Sequence, residues 1–291
     1  MVRYVEPVFR PPSEAHSLLI QATVGCSYNK CTFCGSNLLK QFYVRPVDEV
    51  KEDILMARKI YGPWVRRVFL LDANALCMDT GDLLEILELL NAVFPRLERV
   101  GVYACAQDAL RKRPDELSEL REAGLKIVYL GVESGDDVVL RRVRKGVNAK
   151  QTIKACKRLM DAGITLSVTI ILGLGGRERW REHAEGTANV LNEIDPPFIG
   201  ALTLMLVPGT QLYREAEEGL FQPQTVQGVL KEMEVLVKEL ELSDCIFRSN
   251  HASNYLPIGG TLPQDKEEIL KVIRLALNGE VSLRPERLRA L

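Results

Sequence analysis

The chain has 291 residues, 46% of them apolar, and its 38 basic and 39 acidic residues leave a net charge of −1. That length buries a large core without disulfides, the interspersed charge gives no global field to attract nucleic acid, and no apolar run approaches the roughly 20 residues of a membrane span. The seven cysteines, odd in number and clustered only once, do not describe a secreted disulfide framework; with no signal-peptide pattern before Pro12, the expected compartment is a reducing cytoplasm.

Short β-rich runs are predicted at 17–24, 67–71, 99–104, 127–132, 166–172 and 201–207, and helical patterns at 48–61, 82–94, 114–123, 150–162 and 179–193. Alternation of this kind predicts an α/β protein with six βα units. Runs such as Leu166 to Leu172 are near-continuously apolar, as in a parallel sheet covered by helices on both faces. After Pro208-Gly209-Thr210 the pattern turns helical, at 211–218, 225–241 and 265–278, with no seventh or eighth strand in view. The expected fold class is a partial (β/α)6 TIM-like barrel with a helical C-terminal extension. A doubly wound Rossmann-type sheet is the rival from periodicity alone, but no G-x-G-x-x-G turn follows the first strand.

Directly after that strand comes the loop Gly25-Cys26-Ser27-Tyr28-Asn29-Lys30-Cys31-Thr32-Phe33-Cys34-Gly35. Three thiolates on one short loop can wrap one face of a cubane iron–sulfur cluster and leave its fourth iron open for chemistry. Two other readings compete: a structural zinc site completed by Cys77 or His16, and a redox dithiol at Cys31 and Cys34. The C-x4-C-x2-C spacing, with Phe33 before the third cysteine, resembles the radical S-adenosylmethionine superfamily, whose usual loop is C-x3-C-x-aromatic-C; the first gap here is one residue longer. The resemblance covers residues 14–215, which it reads as the catalytic core, with 216–291 as the extension.

The resemblance implies a [4Fe–4S] cluster on Cys26, Cys31 and Cys34, S-adenosylmethionine as cosubstrate, and its reductive cleavage to a 5′-deoxyadenosyl radical that takes hydrogen from a substrate. It further implies anaerobic chemistry and a low-potential electron donor such as flavodoxin or ferredoxin; a small-molecule substrate is expected, and the charge and hydropathy patterns argue against nucleic acid and membrane as partners. The methylthiotransferase and oxygen-independent coproporphyrinogen-dehydrogenase branches are alternatives within the class. A non-catalytic zinc-stabilised binding module is the alternative outside it.

Residues at the carboxyl ends of the strands are expected to line the site. Asp72, Asn74 and Gln107 are substrate-pocket candidates on this ground. Glu133 and Ser134, between Gly131 and Gly135, resemble the family's ribose element, and a carboxylate suits two ribose hydroxyls. Gly173 and Gly175 resemble the turn beside the adenine, either Arg144 or Lys145 is expected at the methionine carboxylate, and Phe33 of the cysteine loop is expected beside the cofactor. Beyond the core, Arg248, Asn250, His251 and Asn254 crowd into the loop 244–263, read as substrate-facing lid or as a plug closing the open barrel edge. His16 and His183 are expected to be structural or solvent-facing, and Cys77, Cys105, Cys156 and Cys245 form no second cluster motif.

Overall fold

A computed structural model describes residues 2–35, 38 and 40–290. The first half of the chain forms β1 (Leu18–Gln21), β2 (Thr23–Val24), β3 (Tyr43–Val44), α1 (Val47–Tyr61), β4 (Arg67–Leu71), α2 (Thr80–Val93), β5 (Arg99–Ala104), α3 (Ala106–Arg111), α4 (Pro114–Glu122) and β6 (Leu125–Glu133). It continues through α5 (Asp137–Arg142), α6 (Ala149–Asp161), β7 (Thr165–Leu172), α7 (Trp180–Ile194), β8 (Phe198–Thr203), α8 (Gln211–Glu217) and α9 (Val226–Glu239). The last elements are β9 (Cys245–Arg248), β10 (Gly259–Leu262) and α10 (Lys266–Leu277).

One eight-stranded sheet has the order β1-β4-β5-β6-β7-β8-β9-β10, and β2 and β3 form a separate pair. The order follows the chain throughout, without the reversal that defines a doubly wound sheet, so the Rossmann alternative is set aside. Two corrections to the sequence reading concern β8 and the extension. The sixth strand runs over Phe198–Thr203, three residues earlier than expected, in parallel register with Ser167–Leu172. The extension is not purely helical: β9 adds to β8 in parallel, and β10 pairs with β9 antiparallel. The shortness of β9 and the glycines of β10 give little local signal, and pairing on an existing sheet edge supplies the rest.

The described chain divides into two compact units, the first from residues 1–29, 36–130 and 154–166, the second from residues 30–35, 131–153 and 167–291. In the first, alternation along β4 turns Phe69 and Leu71 to one face, where they pack with Ile127 and Tyr129. Tyr103 meets Phe69 edge-on at 5.1 Å between ring centroids. The fully buried Glu14 carboxylate accepts from Tyr129 Oη at 2.6 Å and pairs with Arg99 at 2.7 Å. In the second unit, α7 packs on α9 and α9 on α10. Thr210 and Thr225 cap α8 and α9 through their hydroxyls.

Candidate active site

The first unit holds the start of the cysteine loop. Gly25 is left-handed, with φ 73°, and its N–H donates to Asp72 Oδ2 at 3.1 Å. The same oxygen takes the Lys40 ammonium at 2.5 Å, with both side chains almost fully buried. Two residues on, Ser27 N–H donates to Asn74 Oδ1 at 3.0 Å, and Asn74 Nδ2 donates to Ser27 Oγ at 2.6 Å and to Asp108 Oδ2 at 2.9 Å. Asp108 Oδ2 also accepts from Cys105 N at 2.9 Å, as an N3 carboxylate does at the start of a helix, here α3. Burial pushes the Asp108 carboxyl above its usual range, against the hydrogen bonds from Asn74 and Cys105.

Asp72 and Asn74, expected in a substrate pocket, are thus committed to holding the backbone on either side of Cys26. Lys40 and Asp108, which complete that support, were not singled out from the sequence. The N3 position of Asp108 beyond a strand end was the available signal, whereas Lys40 is brought to Asp72 by tertiary folding alone. Gln107 is half-buried on the first turn of α3.

The cysteines differ in chemistry. Cys26 Sγ lies 4.0 Å from Cys105 Sγ and accepts from Asn29 N at 3.5 Å. The Cys105 contact, opposed by burial and aided by the Asn29 and Tyr28 amides, lowers the Cys26 thiol to about 6. Burial pushes the Cys77 and Cys245 thiols up to about 12, and Cys156 is fully buried. In the metal-free chain the thiolate, the form that ligates metal, is thus favoured at Cys26 and disfavoured at Cys77 and Cys245. Among the described residues no three His, Cys, Asp or Glu side chains converge on one ion.

In the second unit Cys31 and Cys34 are half-buried. Thr32 between them donates its N–H to Val143 O at 3.0 Å and accepts at its carbonyl from Leu212 N at 2.9 Å. Phe33, expected beside the cofactor, packs against the apolar cluster of Val139, Val143, Leu174, Leu212 and Phe221 and so anchors the loop.

At the end of β6, Glu133 is left-handed, with φ 65°, a conformation that costs energy for a non-glycine residue. Its Oε1 takes the Lys145 ammonium at 3.0 Å, and both side chains are about nine-tenths buried. Arg144, also left-handed at φ 51°, is exposed. Lys145 is thus the one of the two basic residues that pairs with Glu133. A Cβ on Gly131 would lie 1.9 Å from Glu133 Oε1. Ser134 Oγ, read as a cofactor contact, instead accepts from Asp136 N at 3.0 Å in the turn before α5. A Cβ on Gly135 would come within 2.0 Å of Gly186 O.

The turn after β7 is held from beneath. Gly173, at φ 84°, donates its N–H to Glu232 Oε1 at 2.7 Å, and Glu232 lies 3.3 Å from His183 Nδ1. Gly175 backs onto His183, whose Cβ would lie 2.8 Å from an added Cβ. His183, expected to be solvent-facing or structural, is fully buried and structural.

Asn254 is buried, donates to Ala201 O at 2.9 Å and accepts from Thr203 Oγ1 at 2.7 Å. His251 Nδ1 accepts from Ser253 N at 3.1 Å, and Arg284 Nη1 reaches the carbonyls of His251, Ala252 and Asn254 at 2.9, 2.9 and 3.0 Å. Asn254 and Ser253, whose Oγ accepts from Thr203 N at 3.2 Å, thus bond to the end of β8, while the bonds of His251 stay within its own loop and with Arg284. Arg248 and Asn250 are exposed. A cavity of about 650 Å³ lined by Arg10, His16, Trp64, Arg66 and Arg67, among others, opens at the amino ends of β1 and β4, away from Gly25 and Asp72.

The profile described as the radical SAM superfamily matches residues 20–185. An uncharacterised methyltransferase of Pyrococcus horikoshii is 24% identical over 201 residues, covering 68% of this chain and 41% of that protein. The heme chaperone HemW of Bacillus subtilis is 20% identical over 219 residues, covering 72% of this chain and 56% of that protein. The chain therefore spans about half the length of these two relatives. Among solved structures, the coproporphyrinogen III oxidase HemN of Escherichia coli, described as a radical SAM enzyme, superposes with a TM-score of 0.57 at 16% identity, over 77% of this chain and 52% of that one. Methylornithine synthase superposes with a TM-score of 0.54 at 18% identity, over 78% and 63%. These structural likenesses show the fold, a TIM-like partial barrel.

Proposed function

The chain belongs to the radical SAM superfamily, and from that premise we propose that it is a radical SAM enzyme whose Cys26, Cys31 and Cys34 hold a [4Fe–4S] cluster. When bound, the reduced cluster supplies one electron to S-adenosylmethionine, which yields methionine and a 5′-deoxyadenosyl radical able to take hydrogen from a substrate. The residues of the chain orient, neutralise and shield. Asp72 and Asn74 fasten the amides on both sides of Cys26, so the loop is set before any metal arrives. The lowered Cys26 thiol presents a thiolate near neutral pH.

Glu133, with Oε1 held by Lys145, would hold the ribose hydroxyls, and Lys145 would meet the methionine carboxylate. Gly173 and Gly175 let the adenine approach backbone without a Cβ in the way. Gln107, Arg248, Asn250 and His251 are the substrate-facing candidates, because the bonds of Asp72, Asn74 and Asn254 are spent on structure. The substrate is read as a small molecule, the reductant as a flavodoxin or ferredoxin, and the compartment as a reducing cytoplasm, in keeping with seven cysteines clustered only once along the chain. Residues 14–215 are proposed as the catalytic core and 216–291 as the extension that closes it. No helix among the described residues is long and apolar enough to cross a membrane.

The observation that carries this reading is the cysteine loop clamped by strand-end polar residues inside the span matched by the family. Anaerobic reconstitution with iron and sulfide tests it. A broad visible charge-transfer band, lost in the Cys26→Ala, Cys31→Ala, Cys34→Ala triple variant but kept in Cys77→Ala, is the expected result. An unchanged band in the triple variant refutes the ligand assignment.

A further inference from the structure

We propose that Cys105 is a positioning residue for the metal centre: its thiol donates a hydrogen bond to Cys26 Sγ and makes the cluster easier to reduce. The inference rests on the reading of Cys26 as an iron ligand and assigns a role to a cysteine outside the three-cysteine motif. The two sulfurs are 4.0 Å apart, the reach of an S–H···S contact. An iron-bound Cys26 has lost its proton, so only Cys105 can donate.

The contact is held in place from both sides. Cys105 stands where β5 ends, with φ −89° and ψ 152°, and its N–H is fixed by the buried Asp108 Oδ2 at 2.9 Å. That oxygen also takes Asn74 Nδ2, and Asn74 Oδ1 takes the N–H of Ser27, the residue after Cys26. The backbones beside both sulfurs are thus referred to one carboxylate through three hydrogen bonds, at 2.9, 2.9 and 3.0 Å. Such a circuit is more than packing of a small apolar residue requires.

Adding an electron to a thiolate-ligated cluster increases the negative charge on its sulfurs, and a hydrogen bond to a ligand sulfur stabilises that added charge. Cys105→Ala removes the donor, whereas Cys105→Ser keeps one on an atom of smaller reach. The experiment is a redox titration followed by EPR on reconstituted wild-type, Cys105→Ala and Cys105→Ser proteins, with iron counted per chain. All three should carry equal iron. The Ala variant should be harder to reduce by about tenfold in the equilibrium, which for one electron is about 59 mV toward negative potential, and the Ser variant should lie between it and wild type.

Equal potentials in all three proteins overturn the proposal. Loss of iron from both variants also overturns it, by making Cys105 a ligand. A wild-type protein that binds no cluster refutes the reading of Cys26 itself, a distinct failure. Should Cys105→Ala not fold, the isosteric pair Cys105→Thr and Cys105→Val repeats the comparison of hydroxyl donor against none, with the lower potential expected for Val and equality overturning the claim.

Discussion

Replacing Asp72 with Ala separates support of the cysteine loop from contact with substrate. The substitution leaves the Lys40 ammonium, about 2% exposed, without its counter-ion, and removal of one member of a buried pair costs about 3–5 kcal/mol. It also strips the acceptor from the buried Gly25 N–H, worth about 1–3 kcal/mol when nothing replaces it. Lys40 keeps a second acceptor in Pro7 O, so the total should be about 4–6 kcal/mol, a large share of the roughly 5–15 kcal/mol that holds a domain folded. Urea titration of the iron-free chain measures this directly, and iron per chain after reconstitution should fall with it. In the Asp72→Ala, Lys40→Met double variant no buried charge is left over, so its cost should be smaller than the sum of the single costs by about 2–3 kcal/mol. If Asp72→Ala stays within about 1 kcal/mol of wild type and loads iron normally, Asp72 is no support and returns as a substrate contact.

Glu133→Gln should weaken S-adenosylmethionine binding about 10- to 100-fold, because charge-assisted hydrogen bonds contribute about 1.5–3 kcal/mol; equilibrium dialysis giving an unchanged Kd would remove Glu133 from the cofactor site. Gly135→Ala should destabilise by at least about 3 kcal/mol, since its Cβ meets backbone at 2.0 Å and cannot be relieved by a side-chain rotation; a neutral effect in urea would mean the two segments are not in contact. Burial and Arg284 hold His251 below its ordinary value near 6.5. The unfolded chain therefore binds a proton that the folded chain resists, and stability should decline as pH falls through about 6.5. His251→Gln should flatten that decline, and an identical pH slope in wild type and variant would contradict the assignment.

The parallel strands from β4 to β7 were legible because both faces are buried and their apolar runs are nearly unbroken, as at Leu166 to Leu172. β9 and β10 were not, because Cys245-Ile246-Phe247 is too short a run to stand out before the polar stretch from Arg248, and Gly259-Gly260 carries no strand signal of its own. The strand-end rule located Asp72 and Asn74 but could not say which way their hydrogen bonds run; the partners Gly25, Ser27 and Lys40 lie 32 to 47 residues away in the chain. The crowding at Glu133 was legible from its flanking glycines. Its ion pair with Lys145 was not, since it depends on the left-handed turn at Arg144 that leaves the Arg144 side chain exposed. His183 sits on an amphipathic helix where periodicity alone does not reveal its partner, Glu232, on α9.

The central claim, that the three-cysteine loop supports reductive cleavage of S-adenosylmethionine, is tested most directly by quantifying 5′-deoxyadenosine released by reconstituted, dithionite-reduced protein without added substrate. Slow formation of 5′-deoxyadenosine and methionine in equal amounts, abolished in the Cys26, Cys31, Cys34 triple alanine variant, is the predicted result. Full cluster loading with no 5′-deoxyadenosine would contradict the claim.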